Sequence, residues 1–161
     1  MWFATREFQT TDIDQIVTLL YDTVHAINAQ DYTVEQVAAW APNLAVDERK
    51  ERTKRLGHAL SQNISYVSIG YGILVGFADM TLDGYLDHLY VHKDFQRQRI
   101  ASDLLQRVEQ EGSRHGVKQI LTDVSITAKP FFERKGYVTM RPQTLSVRGV
   151  SMVNFKMMKK L

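Results

Sequence analysis

The stretch Leu89–Leu105, LYVHKDFQRQRIASDLL, closes one element and opens another. Tyr85–Val91 has the composition of a strand, whereas from about Ile100 the apolar residues Leu104, Leu105 and Val108 recur at helical spacing. Between the two lie Gln96, Arg97, Gln98 and Arg99, basic and amide-rich where an apolar junction would be simplest. A helix N-terminus leaves backbone N–H groups without partners at the positive end of the dipole, so such a turn suits an anion. Two arginines at alternate positions with two amide side chains fit a pyrophosphate better than a single carboxylate. On spacing alone, a solvated basic loop is the simpler alternative.

Working outward, Gly116 stops the helix that starts near Ile100, and KQILTDVS (118–125) reads as a buried strand. Strand, helix and strand make a βαβ unit, whose parallel crossover must be right-handed. TAKPFFERKG (127–136) reads as a short helix ended by Gly136, followed by two final strands, YVTM (137–140) and VNFKMM (153–158). On the N-terminal side, WFATREF (2–8) alternates as a strand does, and TTDIDQIVTLLYDTVHAI (10–27) switches to helical spacing, with Thr10 or Thr11 expected as its N-cap. YTVEQVAAWAP (32–42) is predicted as a short helix capped by Thr33, and DERKERTKRLGHAL (47–60) as a charged one. Ile64–Ile69 and Ile73–Met80 read as a hairpin that leads into the strand at Tyr85. The fold class is α+β, a mostly antiparallel sheet with one parallel crossover.

A chain of 161 residues with 44% hydrophobic content is long enough for one domain, 1–161, with its own core. It contains no cysteine, which excludes disulfides, thiolate metal sites and a thiol nucleophile. The apolar runs are too short to span a bilayer and the N-terminus lacks a long apolar segment, so a cytoplasmic protein without membrane association is expected. A net charge of +2 makes no global case for nucleic-acid binding. A reading in which Arg97, Arg99, Arg107 and Arg114 grip a phosphate backbone lacks any known reader motif.

The segment 89–105 resembles the strand-to-helix turn of the GNAT superfamily of acyl-coenzyme-A-dependent N-acetyltransferases, whose pattern is Arg or Gln, two residues, Gly, one residue, then Gly or Ala. Gln96 and Ala101 match it, and Arg99 stands where the family usually has Gly. Because an arginine replaces that glycine, Arg99 is expected to keep an ordinary helical φ, with its side chain turned outward or onto a phosphate. DVSITAKPFFERKGY (123–137) is similar to the family's fifth strand, following helix and Gly-aromatic ending. Together with YTVEQVAAWA (32–41) it resembles a bacterial subgroup, the YafP type.

The resemblance implies a mostly antiparallel sheet with a central βαβ crossover, helices on both faces, and acetyl-CoA as co-substrate with no metal. It also implies that strands four and five splay, leaving Leu89, Tyr90 and Val91 to pair with the pantetheine arm. Gln96, Arg97, Gln98, Arg99, Ile100, Ala101 and Ser102 would wrap the pyrophosphate. Ser125 stands where many relatives carry Asn, and Phe131 and Phe132 would line the wall beside the thiol, although both rings also suit plain helix-to-sheet packing.

Acetyl transfer to an amine needs a base, donors for the oxyanion and help for the departing thiolate. Relatives often take the acid from a Tyr at the position of Phe132, which cannot donate a proton. Tyr137, past Gly136, is expected in the core. Period two puts Tyr85, Asp87 and Leu89 on one face of the strand and His88 on the other. Relatives often place their base two or four residues before the strand-end position held here by Leu89, so the resemblance makes Asp87 the first candidate base and Tyr85 the second. Asp87 is equally compatible with a structural carboxylate. Tyr32 and Trp40 can offer aromatic faces to a cationic acceptor, with Asp31 or Glu35 as counter-charge, or Trp40 can pin its short helix to the core. The expected activity is direct transfer from acetyl-CoA to a primary amine of a small molecule or peptide. The competing class is a non-catalytic acyl-CoA-binding module, and exposed edge strands leave room for a homodimer.

Overall fold

The computed structural model describes residues 2–161. Its elements run β1 (Ala4–Glu7), α1 (Ile13–Ala26), α2 (Val34–Trp40), α3 (Val46–Gln62), β2 (Ile64–Gly70), β3 (Ile73–Met80), β4 (Tyr85–Val91), α4 (Ile100–Arg114), β5 (Gln119–Val124), α5 (Lys129–Arg134), β6 (Val138–Val147) and β7 (Val150–Lys160). The seven strands form one sheet in the order β1-β2-β3-β4-β5-β7-β6. β4 and β5 are parallel and every other pair is antiparallel.

The sheet is covered on both faces, so β2 and β3 are buried almost along their whole length rather than in alternation. On one face Leu104, Leu105 and Val108 of α4 pack with Ala78, Met80, Leu86, Ile120 and Phe132 of α5. On the other, Ile16 and Leu19 of α1 and Leu60 of α3 pack on Val67, Leu74 and Phe77. A smaller cluster joins Val24, Tyr32 and Val37 to Met152 of β7. Each fully buried Leu, Ile or Phe contributes about 1.5–3 kcal/mol, so two sandwiched layers suffice for a chain of this length. Gly76 brings α4 close to the sheet: a Cβ there would stand 2.9 Å from Ile100 Cγ2 and 3.0 Å from Leu104 Cδ1.

Two local expectations are corrected. Neither Thr10 nor Thr11 caps α1; residues Thr10–Asp12 form a 3-10 turn ahead of it. There the Asp12 carboxylate accepts the Gln9 N–H at 2.8 Å and is gripped by both terminal nitrogens of Arg6, so the acid rather than a hydroxyl satisfies the chain entry. The final strands are also far longer than YVTM and VNFKMM, meeting at a tight turn where Arg148 and Gly149 both have positive φ. Pro142 sits within β6, which is an edge strand, the position in a sheet where proline is tolerated. Thr33 caps α2 as expected, accepting the Gln36 N–H at 3.1 Å.

Candidate functional site

β4 and β5 pair only at Tyr85–Leu121 and Leu86–Thr122, and then diverge. The His92 N–H donates to Val75 O at 2.8 Å. In the antiparallel alternation Tyr90, opposite Phe77, therefore also spends its backbone groups on β3, whereas Leu89 and Val91 turn theirs toward the gap. This corrects the expectation for Tyr90, whose N–H is directed away from the opening. The Val91 carbonyl is already taken, by Thr23 Oγ1 at 2.9 Å and Gln96 Nε2 at 2.8 Å. The gap opens into a cleft of about 1020 Å3 that runs from the turn before α4, past β4, to α2 and the β6–β7 hairpin.

At the turn, Arg97 and Arg99 have φ of 59° and 66°, with Arg99 as the N-cap of α4. The expectation of an ordinary helical φ at Arg99 is overturned: the backbone keeps the left-handed shape that glycine favours, because alternating left-handed residues aim successive N–H groups into one hollow. Both guanidinium groups are exposed and make no ion pair among the described residues. Gln98, Ile100, Ala101 and Ser102 line the same end of the cleft. Gln96 does too, but its side-chain amide donates to Val91 O and, at 3.3 Å, to His92 O, so it braces the turn instead of offering that amide to a phosphate.

Along β4 the register slips: Asp79 faces His88 but Met80 faces Leu86, leaving Asp87 as the extra residue of a β-bulge. The slip overturns the assignment of Asp87 and His88 to opposite faces. Both line the cleft, with Asp87 Oδ2 3.7 Å from His88 Nδ1. On its other side His88 Nδ1 lies 2.7 Å from Oδ1 of the fully buried Asp79, whose Oδ2 accepts Asn63 Nδ2 at 2.9 Å. Burial works against a charged His88 ring, yet Asp79, by hydrogen bond and charge, and then Asp87 raise its pKa, with Arg52 opposing. Asp87 is itself pushed up, mainly by burial and, against the effect of His88, by Asp79 and Asp123. Tyr85 does not line the cleft. Its hydroxyl donates to Asp123 Oδ2 at 2.5 Å, and burial with that bond drives its pKa far up, which removes it as a base.

The remaining expected residues surround the cleft with other duties as well. Ser125 Oγ accepts the Ala128 N–H at 3.1 Å and steadies the start of α5. Phe131 and Phe132 both line the wall, and Phe132 is buried edge-on against Tyr137, itself a core residue. Tyr32 is buried and Trp40 half-buried, and the two rings pack nearly at right angles to one another. The Tyr32 hydroxyl donates to Val153 O at 2.8 Å and accepts the Ile126 N–H at 3.0 Å, tying the segment just before α2 to β7 and to the exit of β5. Local periodicity did not single out Asn28, Thr127 or Asn154, which the fold brings to the same cleft from three separate elements. Thr127 Oγ1 and Asn154 Oδ1 are buried without a partner, as expected where a ligand supplies the missing bonds.

Comparison with known proteins agrees with this geometry. The sequence model described as acetyltransferase (GNAT) domain matches residues 28–159. The chain is 32% identical to an uncharacterized N-acetyltransferase, YafP, of Escherichia coli (strain K12), over 94% of this chain and 92% of that one. A GCN5-related N-acetyltransferase from Rhodopseudomonas palustris superposes with a TM-score of 0.89 at 26% identity, covering 98% of this chain and 95% of its own. The PaiA N-acetyltransferase of Thermoplasma acidophilum, solved in complex with coenzyme A, shares the fold at 16% identity with a TM-score of 0.79, over 100% of both chains.

Proposed function

The chain belongs to the GNAT acetyltransferase family, and from that premise we propose that residues 1–161 form one catalytic domain that moves the acetyl group of acetyl-CoA directly onto a primary amine of a small molecule or peptide. The observation that carries the reading is the divergence of β4 and β5 beyond Leu86–Thr122, immediately beside the Arg97–Arg99 turn. A single strand edge at Leu89 and Val91 then meets the amides of the pantetheine arm, and the backbone N–H groups of residues 97–101 with the two guanidinium groups hold the pyrophosphate.

In this arrangement the thioester carbonyl rests near the Leu89 and Val91 N–H groups, which receive charge as the oxygen becomes an oxyanion. The acceptor enters from the side of Trp40 and the β6–β7 hairpin, and Asp87 supplies counter-charge for its ammonium. In this reading transfer is direct, with no cysteine thiol in the chain to carry an acyl-enzyme thioester. Phe132 cannot protonate the leaving thiolate, so that proton comes from the acceptor nitrogen or from water. The absence of a tyrosine there is also what a cofactor-binding module without turnover would show.

The test is calorimetric titration of acetyl-CoA and of free coenzyme A into the wild type and an Arg97→Ala/Arg99→Ala variant. The expected result is binding that weakens by about 1–3 kcal/mol in the variant, roughly 5–150-fold. A wild type that binds neither ligand overturns the reading. One that binds acetyl-CoA but transfers to no amine supports the binding module instead.

A further inference from the structure

Resting on the transferase reading above, we infer that His88, oriented by the buried Asp79, is the group that takes the proton from the acceptor's ammonium, with Asp87 beside it as counter-charge rather than base. Asp79 lies inside the sheet with no exposed surface, and a carboxyl group is costly there unless it is fully partnered. Both its oxygens are engaged, Oδ2 by Asn63 and Oδ1 by His88 Nδ1. With Nδ1–H committed to Asp79, the lone pair of the neutral ring sits on Nε2, which has no protein partner among the described residues.

The ring plane is held as well, by Phe77 at 5.7 Å and Tyr90 at 6.2 Å between centroids, and the side chain keeps 20% exposure where it lines the cleft. Asp87 is less suited to the task. Its carboxylate reaches the Nδ1 side of the ring and is 42% exposed, free to attract a cation but held by no hydrogen bond. The charged groups facing His88 are thus Asp79 from β3, Asp87 from β4 and Arg52 from α3.

Asp79, Asp87 and His88 offer atoms within 4.8 Å of one another, close enough to raise a cation as an alternative. The 2.7 Å separation of Nδ1 and Oδ1 is that of a shared proton, whereas two ligands on one tetrahedral zinc stand about 3.3 Å apart. The step balances without further reagents. Nε2 takes one proton from R–NH3+ and releases it to solvent; the free amine forms the C–N bond as the C–S bond breaks; the second nitrogen-borne proton ends on the sulfur of coenzyme A.

The test combines ring NMR with transfer assays. In the wild type at neutral pH, 15N spectra are expected to show His88 protonated at Nδ1 with Nε2 free; an Nε2–H tautomer overturns the inference whatever the activity. Acetyl transfer is then measured to spermidine, protonated at neutral pH, and to hydroxylamine, which is not. His88→Gln is expected to lose about 10²-fold in kcat toward spermidine while staying within a few-fold toward hydroxylamine. Asp79→Asn is expected to move the acidic limb of the kcat–pH profile to lower pH, because the charge that raises the His88 pKa is gone. Equal kcat for His88→Gln and wild type toward spermidine, or loss of activity on adding EDTA, overturns the base assignment and leaves the transferase reading standing. If the wild type binds acetyl-CoA yet transfers to neither probe, the transferase reading falls and the base with it.

Discussion

Arg97 and Arg99 hold left-handed backbone on either side of Gln98, at φ of 59° and 66°. Two non-glycine residues in that region within one turn are uncommon, and each costs roughly 1–2 kcal/mol relative to right-handed backbone. The turn is therefore kept against a local conformational preference. What it gains is a concave set of N–H groups at the head of α4 with two free cations on its rim.

Replacing Arg99 with glycine separates those two effects. Arg99→Gly relieves the backbone and is expected to raise stability by about 1 kcal/mol in urea denaturation. The same substitution removes a charge and is expected to weaken acetyl-CoA binding about 10-fold in calorimetry. A variant that is stabilised but binds equally well would show that the backbone cradle alone holds the phosphates.

The end of β4 depends on the bonds that converge on the Val91 carbonyl. Thr23→Val keeps the shape of the side chain and removes one bond, with an expected loss of about 1 kcal/mol; Gln96→Ala removes two, with a loss of about 1–3 kcal/mol. If the brace sets the cleft, only the second is expected to raise the acetyl-CoA dissociation constant as well. Urea denaturation and calorimetry on both variants read the two quantities.

Acid stability follows from Asp12. The hydrogen bonds from Arg6 hold its carboxyl below the usual value against the opposing effect of burial. A depressed carboxyl pKa stabilises the fold above the unfolded value and loses that contribution as pH falls through it toward the folded one. Wild type is therefore expected to weaken between about pH 5 and pH 2. Asp12→Asn is expected to start less stable at neutral pH and to show a shallower decline, measured as the urea midpoint against pH.

Tyr32→Phe removes a hydroxyl that both donates and accepts. It leaves the Val153 carbonyl and the Ile126 N–H without that partner, and an expected loss of about 1–3 kcal/mol follows. Because the hydroxyl ties the exit of β5 to β7 beside the acceptor end of the cleft, KM for the acceptor is expected to rise while acetyl-CoA affinity stays near that of the wild type. Thermal denaturation and steady-state kinetics distinguish this strut from a direct aromatic contact, which the phenylalanine would preserve.

The order of elements was legible because each announces itself over a short range. The stripe of α4, the Gly116 stop, the Thr33 cap and the glycines flanking the β2–β3 hairpin act within a few residues of themselves. The full length of the β6–β7 hairpin was not legible, because the pairing that extends both strands depends on the partner strand rather than on local composition. The cleft-lining role of segment 89–105 was legible for the same reason as the helix it opens: a strand end, basic residues and a helix start stand next to one another in the chain.

By itself, then, the sequence determined the α+β order, the parallel crossover and the family, together with the turn suited to a pyrophosphate. Only the tertiary structure decided which β4 groups face the cleft. The bulge at Asp87 arises where β3 and β4 fall out of register, and it brings His88 onto Asp79, nine residues away and on another strand. Period two describes a strand in isolation, but the face a side chain occupies depends on its neighbour's ladder, and a single extra residue reverses it. The left-handed backbone at Arg99 was likewise not legible: residue type disfavours it locally, and only the folded turn, with left-handed residues on either side of Gln98, shows it.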